Sequence, residues 1–171
     1  MRMTSENKDD LLLKKTLSYS NGYRELGMSK EALAELSSLP ETLSDRLEVL
    51  QMKLAILIDA EDWKSAACAA KNLVLRQPND PGHLVNLAFA TRRALSLDEA
   101  NTILIDAAQR FPNVAIIHYN LGCYACQKQD LENSKASLVK AISLDPAFLH
   151  TARKDEDLSP LTEWLKNLEI A

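Results

Sequence analysis

Cys123-Tyr124-Ala125-Cys126 is the constellation in this 171-residue chain that hints at reactive chemistry. Three residues apart on a helix, the two sulfurs would share a face. Such a pair could be a redox dithiol or half of a zinc site. Two features weigh against both. A redox pair of this spacing belongs at a helix N-terminus, which lowers the thiol pKa, whereas periodicity places these cysteines in mid-helix. Zinc takes about four ligands. Cys68 lies on a remote helix, and His118, five residues before Cys123, points to another side. Two small apolar cysteines are the simpler reading. Other reactive types are dispersed. His83, His118 and His150 form no Ser–His–Asp arrangement, and four scattered glycines make no phosphate loop. Asp155, Glu156 and Asp157 flank a helix start, where carboxylates favour the macrodipole. The sequence predicts a protein that is not an enzyme, with no metal and no cofactor.

The elements that carry these residues repeat. Pro78, Pro112 and Pro146 fall 34 residues apart, as do Ala32, Ala66, Ala100 and Ser134, and as do Trp63, Leu97 and Leu131. A single period shared by three sets of positions marks an array of similar units. The unit is clearest over 115–148. Apolar residues recur at helical spacing from His118 to Gln127, with small Gly122 among them. Gln129-Asp130 supplies a turn and an N-cap. A second stripe then runs through Leu131, Leu138, Ala141 and Ile142 to the stop at Pro146. Such a hairpin cannot bury its outer faces alone, so copies must stack.

With this period and pattern, the chain resembles the tetratricopeptide-repeat family. The resemblance is marked over 47–148, weaker over 11–46 and generic beyond. It implies an all-α fold of stacked helix–turn–helix repeats, an α-solenoid or superhelix with a C-terminal capping helix. The expected organisation is one domain. Residues 1–10 form a disordered tail. A degenerate repeat at 11–46 follows, with helices at Leu11–Leu26 and Ser29–Leu39 that turn at Gly27 and stop at Pro40. Repeats at 47–80, 81–114 and 115–148 come next, then capping helices at 149–171. Ser44-Asp45 would cap the second copy, Asp80-Pro81 the third, and Ser96-Leu97-Asp98-Glu99 forms a capping box. Lys53-Leu54 departs from the Leu87-Ala88 and Leu121-Gly122 of later copies, predicting a local adjustment. The last helix would start at Ser159-Pro160. Its stripe of Leu161, Trp164, Leu165 and Leu168 would cover the apolar face that the fourth copy leaves open.

Composition limits the partners. Net charge is −4 and evenly spread, without the basic face that nucleic acid needs. Only 5% of residues are aromatic, which argues against a β-rich fold. No apolar run approaches the ~18 residues of a membrane helix. The polar N-terminus does not read as a secretory signal, and three cysteines suggest a reducing compartment. The expected location is the cytoplasm.

In proteins of the resembled family, the first helix of each repeat lines a concave face that holds a peptide or partner helix. Carried over, this implies Glu48, Gln51, Ala55, Ile58 and Asp59 from the second copy. Val85, Phe89, Arg92 and Arg93 come from the third, and Ile116, Tyr119, Cys123, Cys126 and Gln127 from the fourth. Val85, Phe89, Ile116 and Tyr119 would form an apolar, aromatic patch, and the arginines could take a carboxylate bidentately. Phe89 and Ile116 are also the members most suited to a core. Relatives that clamp chaperone C-termini use lysine and asparagine. Here Gln51, Ala55, Val85 and Phe89 stand in that lining, with only Asn86 and Asn120 remaining. The function implied is a non-catalytic adaptor or scaffold for a protein or peptide partner, without nucleic acid or membrane. The alternative is a homodimer paired through Trp164 and Leu168.

Overall fold

The computed structural model describes residues 5–168, and every regular element among them is a helix. In order these are α1 Ser5–Glu25, α2 Ser29–Ser37, α3 Glu41–Ser44, α4 Leu47–Asp59, α5 Trp63–Arg76, α6 Pro81–Ala94 and α7 Leu97–Arg110. Then follow α8 Ala115–Gln127, α9 Leu131–Leu144, α10 Ala147–Ala152, a 3-10 helix Glu156–Leu161 and α11 Thr162–Asn167. Residues 1–10 are expected as a disordered tail, and residues 5–10 are helical. Residues 1–4 lie outside the described residues, and α1 begins at Ser5. No glycine or proline precedes Gly22, so the helix nucleated around buried Leu13, Thr16 and Ser20 extends backwards one hydrogen bond at a time.

The chain divides into two compact units, Met1–Asn79 and Asp80–Ala171. The division falls at the junction of the second and third copies, where the sequence predicts a single continuous domain. In the first unit α1 pairs with α2 and α4 with α5, and α4 also packs on α1 and α2. Its core contains Leu13, Ala32, Leu36, Val49 and Ile56. Pro40 ends the short second helix as expected, and α3 then adds buried Leu43 to the same core. Ser44 and Asp45 do not cap α4. Ser44 bonds back to the Glu41 carbonyl, and Asp45 pairs with Arg76 at 2.9 Å, tying the end of α5 to this corner. In the second unit α6 pairs with α7, α8 with α9, and α7 packs on α8. The core runs from Ala88, Ala100 and Leu104 through Leu138 and Ile142 to Leu149 of α10 and Leu165 of α11.

One turn geometry serves three of the four hairpins. Gly27, Glu61 and Gln129 occupy the same repeat position and are all left-handed, with φ of 72°, 55° and 63°. Each ends its helix in the same pair of bonds. The next residue (Met28, Asp62 or Asp130) donates to the carbonyl five back, on Tyr23, Leu57 or Ala125. The left-handed residue donates three back, to Arg24, Ile58 or Cys126. Both bonds satisfy carbonyls that the helix end would orphan. Asp62 and Asp130 then cap the following helix, accepting from Ser65 and Asn133 at 3.2 Å. The third copy differs: Leu95 has φ −129°, and Ser96 caps α7 by accepting from the Glu99 amide. A non-glycine residue in the left-handed region costs about 1–2 kcal/mol. Gln129→Gly is therefore expected to raise stability by about 0.5–1 kcal/mol, the extra chain entropy of glycine offsetting part of the relief. Urea unfolding checks this; an unchanged or lower midpoint would remove the strain argument.

The contact between paired helices is set by two positions. They hold Ser20 and Ala32, Leu54 and Ala66, Ala88 and Ala100, and Gly122 and Ser134, all buried. Ser20 donates to the Ala32 carbonyl at 2.9 Å in the first hairpin. In the fourth the roles reverse, and Ser134 donates to the Gly122 carbonyl at 2.7 Å. The larger Leu54 is the local adjustment at the second hairpin; its neighbour Lys53 points to solvent.

Candidate functional site: the first-helix face of the second unit

The residues carried over from the family fall into two groups. In the first unit, Glu48, Gln51 and Asp59 of α4 are exposed or nearly so and Ala55 and Ile58 half-buried; Asp59 pairs with Arg24 at 3.5 Å. In the second unit, Val85 and Phe89 of α6 are not fully covered, nor is Ile116 of α8, while Arg93 and Gln127 lie toward the surface. The Arg93 guanidinium lies 3.7 Å from the Phe89 ring centroid, a cation–π contact.

Tyr119, Cys123 and Cys126 are not open to a partner, in contrast to their place in an exposed lining. They are 5%, 3% and 1% exposed. The cover of Tyr119 and Cys123 is the chain's own C-terminal segment, and Cys126 also bonds Ser134 of α9. The 3-10 helix crosses onto α8, so the tail covers this face as well as packing α10 on α9. Ser159-Pro160, expected to open an α-helix, instead lies inside the 3-10 helix, whose cap is Asp155; α11 starts at Thr162. Trp164 and Leu168, the expected dimer stripe, are half-buried against this unit's own core.

The segment is held by polar contacts that sequence reading missed. Tyr119 Oη donates to Asp155 Oδ2 at 2.6 Å, and the Cys123 thiol points at the same oxygen from 3.6 Å. Asp155 Oδ1 accepts the Asp157 amide at 2.9 Å, which fixes the turn. Arg92 of α6 reaches across to Asp157 Oδ2 at 2.5 Å, and Gln127 donates to the Asp157 carbonyl at 3.3 Å. Arg92 also lies 5.2 Å from the Tyr124 ring centroid, and Tyr119 packs on Phe148 with centroids 4.8 Å apart. Beyond the acids, Leu158 and Leu161 enter the core. Arg153 ties the tail's two ends, donating to the carbonyls of Leu165 at 3.0 Å and Leu168 at 3.1 Å.

The electrostatics follow from this burial. The hydrogen bond to Asp157 raises the Arg92 pKa further above an already high value. Burial, then the Asp155 carboxylate, pushes the Tyr119 hydroxyl well above its ordinary range. Burial pushes the Cys123 thiol up strongly, Asp155 adding to it, and burial raises Cys126 as well. A thiol is nucleophilic only as thiolate. Cys68 is exposed. At pH 8 one thiol, Cys68, is expected to react quickly with a soluble disulfide reagent, and Cys123 and Cys126 at least about tenfold more slowly; three equally fast thiols would contradict the burial. Among the described residues no group of three or more His, Cys, Asp or Glu side chains is placed to hold a metal ion.

Two open clefts lie elsewhere, at equivalent repeat positions. One of about 530 Å³ in the first unit is lined by Leu33, Lys53, Asp62 and Cys68. One of about 270 Å³ in the second is lined by Asn101, Leu121, Asp130 and Asn133. Neither gathers convergent catalytic groups. Among the described residues no helix is long and apolar enough to cross a membrane.

No protein-family model and no curated protein matches the chain. Solved structures do. MamA, residues 41 to the end, from Desulfovibrio magneticus RS-1 superposes with a TM-score of 0.67 at 17% identity, covering 79% of this chain and 76% of that one. A thermophilic tetratricopeptide-repeat protein of Thermus thermophilus gives 0.63 at 19% identity, covering 90% and 95%. YrrB, a tetratricopeptide-repeat protein described as having an unusual peptide-binding site, gives 0.62 at 22% identity, covering 87% and 71%. At these identities the likeness is one of fold, and it agrees with the 34-residue period, the paired helices and the shared turns: the chain has the tetratricopeptide-repeat fold.

Proposed function

We propose that the protein is a non-catalytic adaptor, acting in the cytoplasm, that binds a segment of a partner protein on the first-helix face of its second unit. The observation that carries this reading is that the face already holds a segment of polypeptide. Arg92, Tyr119 and Gln127, on two different helices, converge on Asp155 and Asp157 through their side chains. A surface that grips one segment by a guanidinium, a phenol and an amide has the chemistry to grip another. Beside it on α6, Phe89 and Arg93 add the aromatic and arginine types enriched at interfaces, and Val85 adds apolar area. The peptide-binding description of YrrB supports the same use of the fold. Free thiols at Cys68, Cys123 and Cys126 agree with a reducing compartment.

A photo-cross-linking residue placed at Arg93 tests the reading, with one at Ile105 of α7 as the control. The expected result is a cross-linked partner from Arg93 and none from Ile105. Cross-links from Ile105 alone would move the site to the second helices. A second copy of this chain, cross-linked from Arg93, would favour self-association.

A further inference from the structure

The segment on this face has the composition of a ligand. Asp155-Glu156-Asp157-Leu158 presents two carboxylates at i and i+2, then a leucine. The first carboxylate meets a phenol, the second a guanidinium, and the leucine is wholly buried. The receptor side chains come from α6 and α8 and are separated from the segment by 65 and 36 residues of chain, so nothing local dictates the pairing. The segment itself is a six-residue 3-10 helix, with few internal hydrogen bonds to sustain it once off the face.

We infer that the Arg92–Tyr119 site is a receptor for an acidic Asp-x-Asp-Leu segment of the partner protein, and that residues Asp155–Leu161 occupy it in cis as a tethered competitor. This rests on the proposed reading that the face binds protein. The commitment to an acidic segment follows from charge: the Arg92 guanidinium bonds a carboxylate more strongly than a neutral acceptor, and the Tyr119 hydroxyl donates to a second carboxylate two residues before it. Tethering gives the cis segment an effective concentration of about millimolar, so an incoming segment succeeds by adding contacts on α6 or by meeting a weakened tether. Apparent affinity then scales with the fraction of molecules whose site is open.

The probe is a dye-labelled synthetic peptide with the sequence of residues 155–168, titrated by anisotropy into the full chain. The expected result is binding at least about tenfold tighter to the Asp155→Asn/Asp157→Asn chain than to the wild type. Adding Arg92→Gln to that chain should remove the gain, and a peptide with asparagine at both acids should bind neither. Equal binding by both chains, or by the asparagine peptide, would overturn the inference. Because the double variant could loosen the unit, hydrogen exchange on the wild type gives an independent reading. Excess peptide should speed exchange of the chain's own residues 155–161, and no change would count against it. If the wild-type chain forms a dimer that Arg92→Gln abolishes, the occupant is another copy's tail, which overturns the commitment to a partner segment. A peptide that fails while the Arg93 cross-link persists leaves the adaptor reading standing and removes only the acidic-segment chemistry; loss of both removes both.

Discussion

Gly122→Val is expected to destabilise the second unit by about 2–3 kcal/mol. A Cβ at Gly122 would lie 2.8 Å from Leu138 Cγ and 3.3 Å from the Ser134 carbonyl oxygen. Leu138 is wholly buried, so its branch point cannot swing away, and the Ser134 oxygen is backbone. Valine brings two further methyl groups into that gap. Its slightly better helix propensity than glycine returns only a few tenths of a kcal/mol. The tryptophans offer a clean readout, because Trp63 belongs to the first unit and Trp164 to the second. In a Trp63→Phe background, fluorescence reports the second unit alone. Leu138→Ala makes room for the new side chain, so the double variant should cost less than the sum of the single ones. Strict additivity, or an unchanged midpoint, would show that the hairpin can spread without penalty.

Leu158→Ala is expected to cost about 2–4 kcal/mol, the usual range for deleting a wholly buried leucine side chain. Its second effect is more diagnostic. Leu158 anchors the 3-10 helix that lies over α8, so its truncation should let the segment lift off more often. Cys123 and Cys126 then lose the burial that raises them, and each thiol returns toward its ordinary value near about 8.5. Access and thiolate fraction rise together, and labelling of both at pH 8 should accelerate by about tenfold or more while exposed Cys68 keeps its rate. Leu158→Met, which conserves volume, should cost under about 1.5 kcal/mol and leave the thiols slow. If Leu158→Ala leaves Cys123 and Cys126 as slow as before, the segment is not what shields them.

The fold was legible because its determinants are local and periodic. Small residues at 32, 66, 100 and 134 must sit where two helices touch, and Pro78, Pro112 and Pro146 must follow helices. Helical register also puts Arg92, Tyr119 and Cys123 where each meets the same segment. What covers them was not legible. Asp155 and Asp157 are adequately explained by a nearby helix start, and Asp155 does cap one; their link to Arg92 and Tyr119 spans long stretches of chain and leaves no spacing to detect. Ser159-Pro160 has the form of an α-helix start, yet the 3-10 helix capped at Asp155 already runs through it and α11 begins only at Thr162. The extra turns of α1 were hidden by composition: polar residues read as fraying even when nothing stops the helix.

The reversed bond between Ser20–Ala32 and Gly122–Ser134 bears on how such chains are compared. In the first hairpin the hydroxyl rides on the first helix and in the fourth on the second, yet each closes the gap to a facing carbonyl. Column-by-column alignment of the two copies scores serine against glycine and then alanine against serine, two mismatches. The molecule keeps one contact, whose invariant is the pair. Scoring the two columns jointly, as one hydroxyl shared between partners, would register the copies as alike at the place where they agree most closely in physics.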